Sequence, residues 1–513
     1  MCPRRVNLGV CFASLLISLL SCQLVLPQKK GARVDALAGI EKSVQQGRIS
    51  EVERPLLTYA LANPNNTKAL ELMARVRVLQ GRLEEARSLY QRLLAVDPTS
   101  VTAKIGAAHV ANSLGQKDYA ITLLTTIEAA SSLPTSVRLE LATEFYSVGE
   151  FSRALTVIEG LPAGVRNGEA LPLSAAAYLN AGRTQDLINL IPLMKNQASA
   201  KPAMAVPNAE VLQNAGLTKD AIALLGIALK RAPTNAKLLL ALARLEIFTR
   251  KFVEARANLK KAESFDPRSA EIFSAQAMLE NALGNNVAAL GLMAKARKID
   301  PDSSRILADF AVLAIRAGRP GVAAEAAKIL LGREPQNAEY EYLLGAASLQ
   351  SGNLDSAQSS LESFMQKRPT DSRGCLALGL VLAARIDQIE NARRQLTRCI
   401  DMDPTNVEAR YQLGLSYKAQ GENDKAIGYL EDTLKQAPGY APALRDLGSL
   451  YLQTGAAARA RELLERAVSL NPQDSDTHFQ LSRLYNQTGE PDLAKRHLEM
   501  FQRLRDKGGK PAQ

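Results

Sequence analysis

The sequence predicts an all-α fold, an α-solenoid of about fourteen short helical hairpins wound into a superhelix. Three regularities lead there. Prolines at 233, 267, 301, 335, 369, 404, 438 and 472 follow one another at steps of 34, with a single step of 35. Twelve residues before each stands an alanine: Ala221, Ala255, Ala289, Ala323, Ala357, Ala392, Ala426 and Ala460. Five residues before most of these alanines stands a glycine, as at Gly216, Gly284, Gly318, Gly352, Gly421 and Gly455. Self-similarity at a fixed period of this size marks a chain that stacks one supersecondary unit on the next.

Met1–Leu26 precedes the repeats. Arg4 and Arg5 are followed by an apolar run from Val6 to Leu20, the layout of an export signal over residues 1–22, with 23–32 as linker. Leu19-Leu20-Ser21-Cys22 resembles a bacterial lipoprotein box, which makes Cys22 a lipidation candidate. Three fates fit this segment: a lipidated Cys22, a cleaved signal, or an uncleaved anchor. Leu8–Leu26 is just long enough for the last of these.

Each later unit has a simple physical content. A first helix carries apolar or small residues at i, i+3, i+4 and i+7, as in Leu444, Leu447, Gly448 and Tyr451. A glycine ends it, because the residue past a helix end commonly needs a left-handed backbone. A second helix follows, with Ala460, Leu464 and Ala467 on one face, and Asn471-Pro472 stops it. Gly345, Gly379, Gly414 and Gly448 on first helices, and the alanines on second ones, are expected where the two axes cross closely.

Units are expected to begin at residues 33, 67, 101, 135, 168, 202, 236, 270, 304, 338, 372, 407, 441 and 475. They form an arm of about four repeats over 33–160 and one of about nine over 208–508, before a tail at 509–513. Between the arms, Pro162, Pro172, Pro192, Pro202 and Pro207 crowd the stretch 161–207, and Pro192 falls inside a second helix. An interior proline costs about 3 kcal/mol, so a weak joint or hinge is expected there.

Composition removes most chemistry. Three His in 513 residues and no CxxC pair leave no material for a His-rich metal centre or a zinc ribbon. No phosphate loop, GxSxG elbow, HExxH or calcium loop occurs. His109, His478 and His497 lie apart, with no carboxylate or Cys partner evident from spacing. An enzyme is not expected, and no cofactor is. The net charge of +11 comes without any block of five or six basic residues, so it reads as a solvated surface rather than a nucleic-acid groove.

Tyr417-x-x-x-Gly421-x-x-x-x-Ala426 and Tyr451-x-x-x-Gly455-x-x-x-x-Ala460 resemble the tetratricopeptide repeat, a 34-residue helix–turn–helix unit. With the export-type N-terminus, the chain is similar to bacterial envelope lipoproteins built from such repeats. The resemblance implies a concave groove lined by first helices, in which one or more protein partners lie. On that basis the partner-groove candidates are Tyr342, Arg373, Leu376, Tyr411, Arg445, Phe479 and Arg483, and the alternative for each is packing against neighbouring repeats. The Lys/Asn clamp by which some family members hold a C-terminal carboxylate is not evident.

The implied function is a non-catalytic scaffold or adaptor in the periplasm or at the outer membrane. It would serve secretion, polysaccharide export or outer-membrane assembly, with the N-terminal segment contacting the membrane. A membrane-anchored, cytoplasm-facing regulatory or assembly module is the second reading, and a glycan-binding accessory subunit the third. Cys375 and Cys399 fall early in the first helix and late in the second helix of one repeat, places that face each other. They are either a disulfide of an oxidising compartment or two small buried hydrophobes.

Overall fold

A computed structural model describes residues 36–45, 49–128 and 133–508. Cys22 and the whole signal-like segment, like the tail at 509–513, lie outside the described residues. Among the described residues there are twenty-nine α-helices, two 3-10 turns and no strand. None of these helices is long and apolar enough to cross a membrane.

The 34-residue period has a direct structural counterpart. Val407–Ala419 is a 13-residue helix and Asn423–Gln436 a 14-residue helix, joined by a three-residue turn and followed by a four-residue connection. The connection is held locally. In Asp97-Pro98-Thr99-Ser100, Asp97 Oδ1 accepts from the backbone and hydroxyl of Thr99 at 3.0 and 2.7 Å. Ser100 then caps the next helix by accepting from Ala103 N. Asp403-Pro404-Thr405-Asn406 repeats the arrangement with Asn406 as cap.

The two helices of a hairpin bury different faces. Second helices bury a single stripe at i, i+4 and i+7: Ala255, Leu259 and Ala262, or Ala460, Leu464 and Ala467. First helices lie between their own partner and the next hairpin, so Ala441–Gln453 buries nine of its thirteen side chains. The crossings are tight. A Cβ at Gly345 would lie 2.6 Å from Leu361 Cγ, and one at Gly448 2.8 Å from Leu464 Cγ. Those glycines are required by the approach of the two axes.

The chain divides into two compact units at Pro267/Arg268. Among the described residues each is an α-solenoid of seven hairpins stacked in chain order. The boundary is not the proline-rich stretch 161–207, which lies within the first unit. One apolar core runs from Ile105 to Leu245 through Leu161, Leu173, Met194 and Ala205. The stretch expected as a hinge thus carries no break in this core, and the prolines show why. Pro162, Pro172, Pro202 and Pro207 stand at helix starts or in first turns, where no backbone N–H is needed. Pro192 lies inside the unbroken helix Thr184–Ala200, on its exposed side, where water can solvate the carbonyl left without a donor. Gln197 also ties the stretch together, donating to Gly168 O at 2.6 Å and accepting from Asn208 Nδ2 at 2.8 Å.

Eleven of the fourteen first helices begin where the repeat frame puts them. Those at Leu171 and Ala205 begin three residues late, and the one at Ala36 starts at the edge of the described residues. Two of the eleven hairpins lack the turn glycine. In the first, Arg250 takes the left-handed backbone itself at φ 61°, and its N–H and that of Lys251 still close the helix end onto Ile247 O and Glu246 O. In the second, the turn near Asp387 becomes the 3-10 segment Ile386–Gln388, which accounts for the one 35-residue step.

Two predictions come from this geometry. Arg250→Gly should raise stability in urea melts by about 0.5–1 kcal/mol, since a side chain at positive φ is strained. Gly284→Arg, at φ 81° with open space around it, should lower it by about 1 kcal/mol. Ala460→Leu, at a fully buried crossing, should cost about 1–3 kcal/mol, whereas Gln453→Leu at an exposed position should be near neutral. Equal effects of the last two would contradict the crossing geometry.

Candidate functional site

In the second unit, the first helices carry the residues singled out for a partner. Arg373 is the second residue of helix Ser372–Ala383, and Asp371 caps that helix by accepting from Arg373 N at 3.0 Å. The guanidinium folds back on Asp371 at 2.7 Å and reaches Glu339 of the preceding repeat through two bonds of 2.8 and 3.1 Å. It lies over the ring of Tyr342 at 5.0 Å, and that ring packs on Phe364 at 5.3 Å. The Arg373 guanidinium holds the Asp371 carboxyl below its ordinary range, while burial pushes the Tyr342 phenol up. Leu376 is half-buried against the same cluster. Arg373 and Tyr342 are thus brought together, with the charge of Arg373 already met by two carboxylates.

Tyr411 departs from its expected role. It is only 5% exposed, so it is a packing residue and not an open anchor. Its ring meets Tyr440 edge-on at 5.3 Å, and its hydroxyl donates to Asp446 Oδ2 at 2.8 Å. Asp446 is the hub of this repeat junction. Lys418 donates to Oδ1 at 2.6 Å and Arg445 to Oδ2 at 2.8 Å, while Arg445 also reaches Asp474 at 3.4 Å. Burial pushes the Asp446 carboxyl up, but Lys418 and Arg445 outweigh it and hold the group below the usual carboxylate range. Arg445 is accordingly spent on a neighbouring repeat. Phe479 and Arg483 remain exposed on helix Ser475–Gln487, with Phe479 resting on Phe501 at 5.2 Å.

Three carboxylates have no signal within a single helix: Glu339, Asp371 and Asp446. One signal was available, since Glu339 and Arg373 are 34 residues apart and occupy the same position of successive repeats. The histidines also have partners that spacing did not reveal. His109 Nδ1 lies 3.1 Å from Glu144 Oε1, and this bond raises its pKa. His478 and His497 meet at 2.9 Å.

The structure joins Cys375 and Cys399 as a disulfide, with Cα atoms 5.7 Å apart and both side chains fully buried. Cys399 takes the third position of the buried stripe, after Ala392 and Leu396. The bridge closes the one hairpin of this unit whose turn has neither glycine nor left-handed residue.

Models of the tetratricopeptide repeat match residues 69–102, 213–279, 309–371, 376–441, 411–475 and 451–502, together more than half of the chain. The chain belongs to the tetratricopeptide repeat family. Over 154 residues it is 34% identical to peroxisome biogenesis protein 5 of Arabidopsis thaliana, a match covering 29% of this chain and 20% of that protein. Over 155 residues it is 32% identical to ER membrane protein complex subunit 2-A of Xenopus laevis, covering 30% of this chain and 52% of that one. The chain thus spans about half, or less, of the length of these curated relatives. Among solved structures, the APC/C hetero-tetramer Cut9–Hcn1 aligns with 90% of this chain and 96% of its own, at 15% identity and a TM-score of 0.40. Solenoids of this kind present extended surfaces that bind other chains, and a protein-interaction scaffold is the role that family membership supports.

The Asp446 junction makes a prediction with a definite sign. Because its pKa is depressed in the folded state, Asp446 contributes stability that is present above its unfolded value of about 3.9 and is lost as pH falls through the folded one. Asp446→Asn should cost about 1–3 kcal/mol at pH 7, since Lys418 and Arg445 lose their counter-charge while still partly buried. The cost should shrink below pH 4. A cost that stays constant from pH 7 to pH 3 would show that the carboxylate charge is not what Asp446 contributes.

Proposed function

We propose that the chain is an exported, non-catalytic scaffold of a bacterial cell envelope, attached to a membrane through a lipidated Cys22. The observation that carries this reading is the buried Cys375–Cys399 disulfide, in a chain whose first residues have the layout of an export signal. Disulfides persist in oxidising compartments and are rare where thiols are kept reduced. Secretion, polysaccharide export and outer-membrane assembly are the settings in which such a scaffold would serve. Its partners are protein segments that meet the first-helix face of the second unit. Phe479, Arg483 and the partly open Tyr342 and Leu376 supply the free surface there, because Tyr411, Arg373 and Arg445 are engaged within the fold.

Two measurements test the proposal. Metabolic lipid labelling with membrane fractionation should give a labelled, membrane-associated wild type and an unlabelled, released Cys22→Ser variant. A variant that stays membrane-bound at unchanged mass would replace lipidation with an uncleaved anchor. Thiol counting on protein purified without reductant should find Cys375 and Cys399 unreactive after denaturation; two free thiols would remove the support for export. The double variant Cys375→Ala/Cys399→Ala should lose about 3 kcal/mol of stability in the chain-entropy account of a loop this size.

A further inference from the structure

The last hairpin pairs helix Ser475–Gln487 with helix Pro491–Gly508, and three ring contacts hold the two together. Phe479 rests on Phe501 at 5.2 Å, Tyr485 stacks on His497 at 5.5 Å, and His478 meets His497 with Nδ1 atoms 2.9 Å apart. The tautomers follow from the partners. His478 Nε2 lies 3.2 Å from Pro472 O, and a carbonyl can only accept, so Nε2 carries the hydrogen of His478. Nδ1 of neutral His478 is then bare and accepts from Nδ1–H of His497. One hydrogen lies between the two rings.

We propose that this hairpin is a pH-sensitive clasp, closed when at least His478 is neutral and opened when both imidazoles are protonated. The first added proton can go to Nε2 of His497, which leaves the Nδ1–H···Nδ1 bond intact and charge-assisted. The second has only Nδ1 of His478 available, and there it meets the Nδ1–H of a cation. The bond is lost, and two like charges face each other in a partly buried place. His478 is 7% exposed, so little water can screen them.

The surroundings do not cancel the effect. From helix Ala457–Leu470, Glu465 faces His497 and favours its cation, but that carboxylate is occupied. It accepts from the Tyr485 hydroxyl at 2.8 Å and from Arg461 at 2.9 Å, and Arg461 also binds Glu490. Asp474, at the start of His478's own helix, is engaged by Thr477 and Arg445. Burial and the charge of a protonated His478 lower the pKa of His497, so the pair resists holding both protons. A depressed histidine contributes stability that is present above its unfolded value, about 6.5, and lost as pH falls through the folded one. Opening the clasp would separate Phe479 from Phe501 and uncover the apolar side of helix Ser475–Gln487, where Leu481, Leu484 and Tyr485 are buried. Acidification would thereby present a new apolar surface beside Arg483.

The third histidine, His109 of the first unit, has its pKa raised by Glu144 and changes stability in the opposite direction. A local readout is therefore needed. In hydrogen exchange on the full chain, amides of 491–508 should exchange about tenfold faster at pH 5.5 than at pH 7.5, after correction for intrinsic rates. Amides of 441–470 should change much less. His497→Gln, whose amide can still donate to His478 Nδ1, should remove most of this pH dependence. His109→Gln should leave it in place. Equal pH dependence in wild type and His497→Gln would overturn the proposal, as would unchanged protection of 491–508 between the two pH values. If His497→Gln is unprotected at every pH, imidazole NMR titration of wild type decides. Two separated steps, one depressed, are expected, and two independent titrations near 6.5 would overturn it.

Discussion

Each hairpin depends on how closely its two helices can cross. A Cβ at Gly448 would fall 2.8 Å from Leu464, and Ala460 stands fully buried at the same crossing. Close approach lets a three-position stripe such as Ala460, Leu464 and Ala467 suffice for a whole second helix. It also fixes the length of the unit. In a regular unit such as 407–440 the helices differ by one residue, the turn reverses in three residues, and the connection returns in four. The period of 34 is the sum of those demands, which is why it persists even where the Gly and Pro that announce it are missing.

The crossing also explains where polar residues go. Hairpins are packed against one another, and the charged groups half-buried between them are met by charges of neighbouring segments. Arg373 is met by Glu339 and Asp371, and Arg393, buried within the hairpin 372–402, by Glu390 and Glu422 while it covers the ring of Tyr417. Asp446 is met by Lys418 and Arg445. These pairs mainly set register between neighbours. Half-buried ion pairs add little net stability, but breaking one leaves a charge without its partner.

Most of the fold was legible, and the failures have one physical cause. Apolar period, turn glycines and closing prolines are properties of a single helix or turn, and they located eleven first helices to the residue. Prolines mislead only when their position within a helix is unknown: Pro172 and Pro207 start helices, and Pro192 sits on a solvent side. Side-chain partners are another matter. Tyr411 occupies a repeat position from which it would point outward on an isolated hairpin, yet the next hairpin supplies Tyr440 and Asp446 to cover it. His478 and His497 are nineteen residues apart on helices that only the hairpin fold aligns. Contacts between repeats follow from stacking, and a pattern confined to one helix carries no record of them.

The same distinction bears on what a partner can touch. In a stacked array the interior first helices spend their polar and aromatic groups on neighbours, as Arg373, Tyr411 and Arg445 do. Phe479 and Arg483 are exposed on their helix, and beside them packs helix Pro491–Gly508. Its hold on helix Ser475–Gln487 rests on Phe501, Ala494 and His497. The Cys375–Cys399 bridge is placed by a related logic. It fastens a hairpin whose turn has lost the left-handed residue that would otherwise fix it. Covalent reinforcement thus appears where the regular turn is interrupted, while Phe479 and Arg483 keep an open face on the hairpin 475–508.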